Sequence, residues 1–306
     1  MTLPPAAQKP SCPFTPSPLE PLPHQLLAAL AQHRMATTAQ LRALLRPHAC
    51  RQTLSRPLNR LRNGQLVDYT VLPSSNRTRA WYLTAEGARI VRDWPHQRGR
   101  PPYPITSASA ASMKTPHTLT VLRTHLAFVS DARRRGDEHS HLDWTPEVSH
   151  PLGDGERVIA DALMHYVLHQ EDGTRTKLRA LIEVDRATMS PERLATKLIG
   201  YARLHTYTPL TPGRRGAQNN PAPGWQRWYP VFPRILFVLT GAGPRALTNR
   251  IEDLQAMATE HPAVAGLARA VPLGAAVLEE LEATGPSGPV WTPLAVTGPP
   301  RSWTQL

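Results

Sequence analysis

Cysteine is almost absent from this chain of 306 residues, which has only Cys12 and Cys50 and no CxxC pair. That excludes a disulfide framework and a zinc ribbon, and it fits a reducing compartment. No apolar run approaches the roughly 20 residues a membrane helix needs, and the opening residues lack the apolar core of a signal peptide. A cytoplasmic location is expected. No glycine-rich phosphate loop is visible to bind the ligand that a regulatory α/β domain would need. Lysine is scarce as well. Only Lys9, Lys114, Lys177 and Lys197 occur among 35 basic residues, so the other 31 are arginine.

What is present is a core-forming composition, 41% hydrophobic, which excludes a wholly disordered chain, and a length that suits two domains. The formal net charge is +12. Arginine offers a planar fork of donors that matches phosphate and guanine edges. A GC-rich genome also raises arginine together with proline, and the 33 prolines carry that bias. Placement therefore decides. Between His24 and Pro104, 13 arginines stand against Asp68, Glu86 and Asp93, a net +10, whereas the residues after Pro104 carry 21 basic and 19 acidic groups. Compositional bias spreads arginine but does not remove acids from one region. The asymmetry is the footprint of a nucleic-acid-binding module.

Proline punctuates the chain. Residues 1–23 carry eight prolines and read as a disordered lead-in. A second cluster, Pro95, Pro101, Pro102 and Pro104, reads as an interdomain linker over residues 95–104. Further proline-rich stretches run from Pro209 to Pro233 and through a tail at residues 286–306. The chain thus divides into a basic domain at 24–94 and an α/β domain at 105–285.

The basic domain reads as a winged helix-turn-helix. The apolar spacing of His24 to Arg34 predicts an amphipathic helix, Thr37 or Thr38 caps a second, and Arg51 to Asn63 forms a third that stops at Gly64. Two short strands, QLVDYTVL and RAWYLT, follow around a polar loop, and a last helix starts near Thr84. In this order the third helix enters the major groove. Its candidate contacts are Arg51, Gln52, Ser55, Arg56, Asn59 and Arg60, with Arg77 and Arg79 on the wing. Arginine, glutamine and asparagine are the side chains that read guanine and adenine edges. Pro57 is tolerable only in a first turn, so the helix is expected either to start near Ser55 or to kink. Winged helices also dock proteins, and that reading stays open.

The second domain reads as helix, three strands, helix, strand: an α/β unit with a mixed sheet. Gly153-Asp154-Gly155 and Glu171-Asp172-Gly173 mark the hairpin turns, and Ser190-Pro191 opens a helix. Alternation sets Arg179, Leu181, Glu183 and Asp185 on one strand face, and Asp161 shares a face with Ile159 and Leu163. Acids on apolar faces need a cation. One solution is an oxygen-rich Mg²⁺ site formed by Asp161, Glu183 and Asp185. The other is an ion-pair network in which Arg186 or Arg193 neutralises the acids. Lys197 lies one turn before Tyr201 on the next helix and is placed to reach the same face.

The segment LIEVDRATMSPERLATKLIGYARLH, after a strand carrying Asp161, resembles the replication-relaxation family of actinobacterial and plasmid-borne proteins. LLAALAQHR, LTAEGAR and the helix around His117 extend the resemblance over roughly His24 to Val238. It implies a winged helix joined to a restriction-endonuclease-like fold of the PD-(D/E)xK type. Under it Asp161 matches the first acid, Glu183 the second, and Asp185 stands where lysine is usual. Ala160 likewise replaces the proline before the first acid. Lys197 would supply the migrated lysine, Asp161, Glu183, Asp185 and Lys197 the catalytic set, and His117 a further lining group.

Two functions follow. One is a DNA-binding protein of plasmid or mobile-element replication and relaxation, with a nuclease-like domain used for binding or assembly. The other is an active Mg²⁺-dependent endonuclease or nickase targeted by the winged helix. A transcriptional repressor is a weaker third. The partners these readings admit are double-stranded DNA, replication or relaxosome proteins, and a second copy in a homodimer, with no membrane.

Overall fold

The computed structural model describes residues 21–73, 77–97, 105, 108–209 and 222–306. The lead-in at residues 1–20, most of the expected linker and the centre of the 209–233 loop lie outside the described residues. Helix α1 (Leu22–His33) begins just inside the expected lead-in, since Pro23 falls in its first turn, where no amide bond is lost. Strand β1 (Met35–Thr37) follows, then α2 (Thr38–Leu45), α3 (Arg51–Asn63), strands β2 (Val67–Val71) and β3 (Arg79–Leu83), and α4 (Ala85–Val91).

Three helices then a hairpin is the expected order, with one addition. β1 pairs antiparallel with β3, giving a sheet ordered β1-β3-β2. Thr37 caps α2 in a reciprocal box with Gln40, its hydroxyl accepting from Gln40 N at 3.1 Å while Gln40 Oε1 accepts from Thr37 N at 3.0 Å. Thr84 caps α4 by accepting from Gly87 N at 3.1 Å. α3 is continuous from Arg51, so the later start at Ser55 does not occur, and Pro57 sits in its interior. Leu54, Leu58 and Leu61 repeat every three to four residues and anchor α3 in a core with Leu26, Leu30, Leu41 and Trp81.

The remainder builds on α5 (Ala108–Arg135). Strands β4 (Trp144–Gly153), β5 (Glu156–His169) and β6 (Arg175–Asp185) form an antiparallel meander. α6 (Pro191–Thr206) crosses to β7 (Arg234–Leu239), parallel to β6. α7 (Pro244–Glu260) and α8 (Pro262–Ala270) lead to β8 (Leu273–Val277), again parallel, followed by α9 (Leu278–Thr284) and β9 (Thr292–Pro293). The six strands lie in sequence order in one mixed sheet. The protein is α/β, with helices on both sheet faces. α6, α7 and α8 cover Leu181, Ile235 and Phe237 on one, and α5 and α9 cover Ala180, Ile182 and Val184 on the other.

Two proline-rich stretches belong to the fold. After Pro286, read as a tail, β9 extends the sheet, Trp291 and Trp303 are fully buried, and Arg234 donates to the carbonyls of Trp303, Thr304 and Leu306. Beyond the undescribed loop, Trp225, Tyr229 and Phe232 are buried under the α6 side of the sheet. Among the described residues, no helix is long and apolar enough to cross a membrane.

Candidate functional site

The β5–β6 ladder runs from His169↔Arg175 to Ala162↔Ile182 and stops there. At the next position the Asp161 carboxylate replaces a strand carbonyl, Oδ2 accepting from the Val184 amide at 2.8 Å. The β4–β5 ladder also skips the rung opposite Asp161, where Glu147 has a φ of 49°. A side chain in that left-handed region is strained backbone, and such strain gathers at functional sites. β5 therefore loosens from both neighbours at Asp161.

Glu183 lies beside this opening with its side chain only 1% exposed. Lys197 Nζ donates to Glu183 Oε2 at 2.9 Å and to the Ile159 carbonyl at 2.8 Å. Tyr201 OH also donates to Glu183. Lys197 and Tyr201 are four residues apart, which puts both on one face of α6. Burial pushes the Glu183 carboxyl up to about 7, the Asp161 charge adds to it, and Lys197 and Tyr201 oppose it. His117, half exposed on α5, meets Asp161 Oδ1 through Nε2 at 3.2 Å, and that hydrogen bond raises its pKa. Asp161, Glu183 and Lys197 thus come together, with His117 and Tyr201 beside them.

Asp185 is engaged elsewhere. Arg250 Nη1 on α7 donates to Asp185 Oδ2 at 2.6 Å, and its Nη2 donates to the Met189 carbonyl at 2.8 Å. No hydrogen bond or ion pair links Asp185 to Asp161, Glu183 or Lys197 among the described residues. The cation that neutralises it is neither Arg186 nor Arg193. Gly241 is required here, because at φ 82° a Cβ would stand 2.7 Å from the Arg186 carbonyl, next to the strand end that carries Asp185.

Among the described residues no three His, Cys, Asp or Glu side chains are grouped as a metal site would need. Asp161 and Glu183 alone still suit Mg²⁺, which is commonly held through one or two carboxylates and keeps several waters.

A second set of residues lines α3 and the hairpin. Arg51, Gln52, Arg56, Asn59, Arg60, Arg77 and Arg79 are exposed. Ser55 is half-buried, its hydroxyl donating to the Arg51 carbonyl at 3.1 Å. Arg79 braces the hairpin to the helix: Nη1 donates to Asn59 Oδ1 at 3.3 Å, and the guanidinium lies 4.3 Å from the centre of the Tyr69 ring. Arg42 on α2, Arg51 and Arg79 border one hollow with Thr38 and Thr78. Sequence reading missed Arg42, because only folding brings α2 to the end of α3.

The sequence model of the replication-relaxation family matches residues 27–217. The chain belongs to that family. The match runs from α1 through α6 and includes Asp161, Glu183, Lys197 and the arginines of α3, while Arg250 lies beyond it. No curated protein and no solved structure matches this replication-relaxation chain.

Proposed function

We propose that this replication-relaxation protein binds duplex DNA during replication or relaxation of a plasmid or mobile element. α3 is its major-groove helix, β2–β3 its wing, and the sheet domain is nuclease-like. One observation carries the reading: the +10 region presents Arg51, Arg56, Arg60 and Arg77 to solvent on α3 and the hairpin. Helix residues in the groove specify sequence, and wing arginines hold phosphates. Replacing Arg56 or Arg60 by Ala should relax sequence preference at about 1–3 kcal/mol per bidentate contact. Arg77→Ala should weaken all sequences alike. Selection from a random duplex pool tests both. Uniform weakening by every substitution would remove α3 as the reading helix.

A second reading, a Mg²⁺-dependent endonuclease or nickase, is favoured by the convergence of Asp161, Glu183 and Lys197. Asp161 and Glu183 would hold the ion, with Asp185 outside the set because Arg250 occupies it. Bound there, Mg²⁺ would supply Lewis-acid activation of water and charge neutralisation at phosphate. Lys197 would offer its ammonium to the phosphate, and His117 would hold a proton at Asp161 Oδ1. Supercoiled plasmid incubated with Mg²⁺, Mn²⁺ or EDTA tests it. Metal-dependent nicking that is lost in Glu183→Gln supports the reading, and an intact plasmid with either metal rejects it.

A further inference from the structure

Away from the acids, a cleft of about 860 Å³ opens between the end of α1, the middle of β4 and the turn after Gly224. Among the described residues that line it the one acid, Glu147, is paired with Arg34 at the rim. Arg179, half-buried on β6, and the exposed Arg227 also line it, and neither side chain makes a hydrogen bond or ion pair among the described residues. Trp228, 45% exposed, lines the same cleft, its ring set edge-on to His150 at 5.4 Å. His150 is buried and shares a hydrogen bond at 2.7 Å with the Tyr229 hydroxyl, while its Nδ1 has no partner. Burial lowers its pKa to about 4, so at neutral pH it carries no charge.

An exposed indole and two guanidiniums without partners in one cleft, whose one acid among the described residues is paired with Arg34, match a base plus a phosphate. A duplex keeps its base faces stacked inside and cannot offer one to Trp228. At the rim, Arg34, Pro146 and Glu147 also border the hollow that holds His117 and Asp161, so a chain leaving the cleft there runs toward Asp161. That continuity favours a strand over a free nucleotide. We propose that this cleft binds single-stranded nucleic acid, a base stacking on Trp228 and phosphates meeting Arg179 and Arg227. The inference goes beyond duplex binding by α3 and stands on different residues.

Anisotropy of a labelled short oligothymidine with the full chain, over a salt series, tests it. Trp228→Ala should weaken binding roughly five- to a hundredfold. The double variant Arg179→Gln/Arg227→Gln should flatten the slope of log affinity against log salt by about 1.4, at 0.7 per phosphate. Because Trp228 is exposed and both arginines lack partners, these changes strand no buried group, and unchanged melting curves would verify the fold. Duplex affinity should stay at the parent value in all variants. Unchanged single-strand affinity in both variants overturns the proposal. So does equal loss of single-strand and duplex binding, which would make the cleft part of the duplex path. Thymidine monophosphate binding as tightly as the oligomer would make it a nucleotide pocket and overturn the strand assignment. If the parent fails to bind duplex yet loses the oligomer on Trp228→Ala, the α3 reading falls and the cleft stands.

Discussion

Glu183 is an ionisable side chain held out of water, and Lys197 and Tyr201 on α6 are what make that tolerable. Removing one partner of a buried pair leaves an uncompensated charge, whereas replacing both with neutral groups costs far less. Lys197→Met should therefore destabilise by about 3–5 kcal/mol. The double variant Glu183→Gln/Lys197→Met should lie closer to the parent than Lys197→Met alone, as urea unfolding of the three would measure. An undisturbed midpoint in Lys197→Met would mean that Glu183 does not depend on this lysine. Glu183 and Lys197 were legible in the sequence for geometric reasons, whereas the Tyr201 bond to Glu183 was not read from it. Period-two alternation sets Glu183 on an otherwise apolar face, and the four-residue spacing of Lys197 and Tyr201 is one helical turn. The partner of Asp185 was not legible. Arg250 lies 65 positions away and reaches Asp185 only because α7 packs in one core with β6 and β7, while Arg186 and Arg193 were conspicuous only by being near in sequence.

At the scale of elements, caps and apolar periods carried the most information. Thr37, Thr84 and the leucine repeat of α3 announce their helices locally, and the hydrogen bonds form where the residue types allow. β1 was missed because three residues hold no readable alternation, and its strand character comes from pairing with Ala80, Trp81 and Tyr82. β9 and the buried tryptophans after Pro286 were masked by proline, which marks irregular backbone without saying whether that backbone is packed. Gly87 is a local choice dictated by packing. A Cβ there would lie 1.9 Å from the Leu66 carbonyl, so α4 rests against the loop before β2 only through glycine. Gly87→Ala gains helix propensity but must push α4 away, and overpacking of this kind costs about 1–3 kcal/mol. A net loss in chemical denaturation is expected. A gain, as propensity alone would give, would show that α4 moves freely.

For the molecule as a whole, the basic module and the sheet are joined through α5 and a buried ring cluster rather than by a linker alone. Leu122 and Val129 of α5 complete the core around α1 and α3, while Phe128 and Ala132 of the same helix pack on the sheet. Where α1 meets β4, His33 and His125 lie 5.0 Å apart, His139 is a further 5.0 Å from His125, and Trp144 stacks on His125 at 4.7 Å. Gln32 donates to the Trp144 carbonyl across the same seam. Burial lowers the pKa of His33 to about 3 and of His139 to about 4, and it holds His125 well below the usual value. His141 and Arg133 add positive charge around them, and Asp143 partly offsets it at His139. The unfolded chain protonates these rings near pH 6.5 and the folded chain does not, so below that pH the unfolded state binds more protons. Their contribution is fully present above pH 6.5 and is lost as pH falls toward 4. By pH 4.5 the loss should reach about 2–3 kcal/mol for each ring. Urea midpoints between pH 7.5 and 4.5 should fall steeply in the parent. In His33→Leu the slope below pH 6 should be shallower by about 1.4 kcal/mol per pH unit, the contribution of one proton. A flat parent profile, or a slope unchanged by His33→Leu, would mean that acid does not act through the seam between α1 and the sheet.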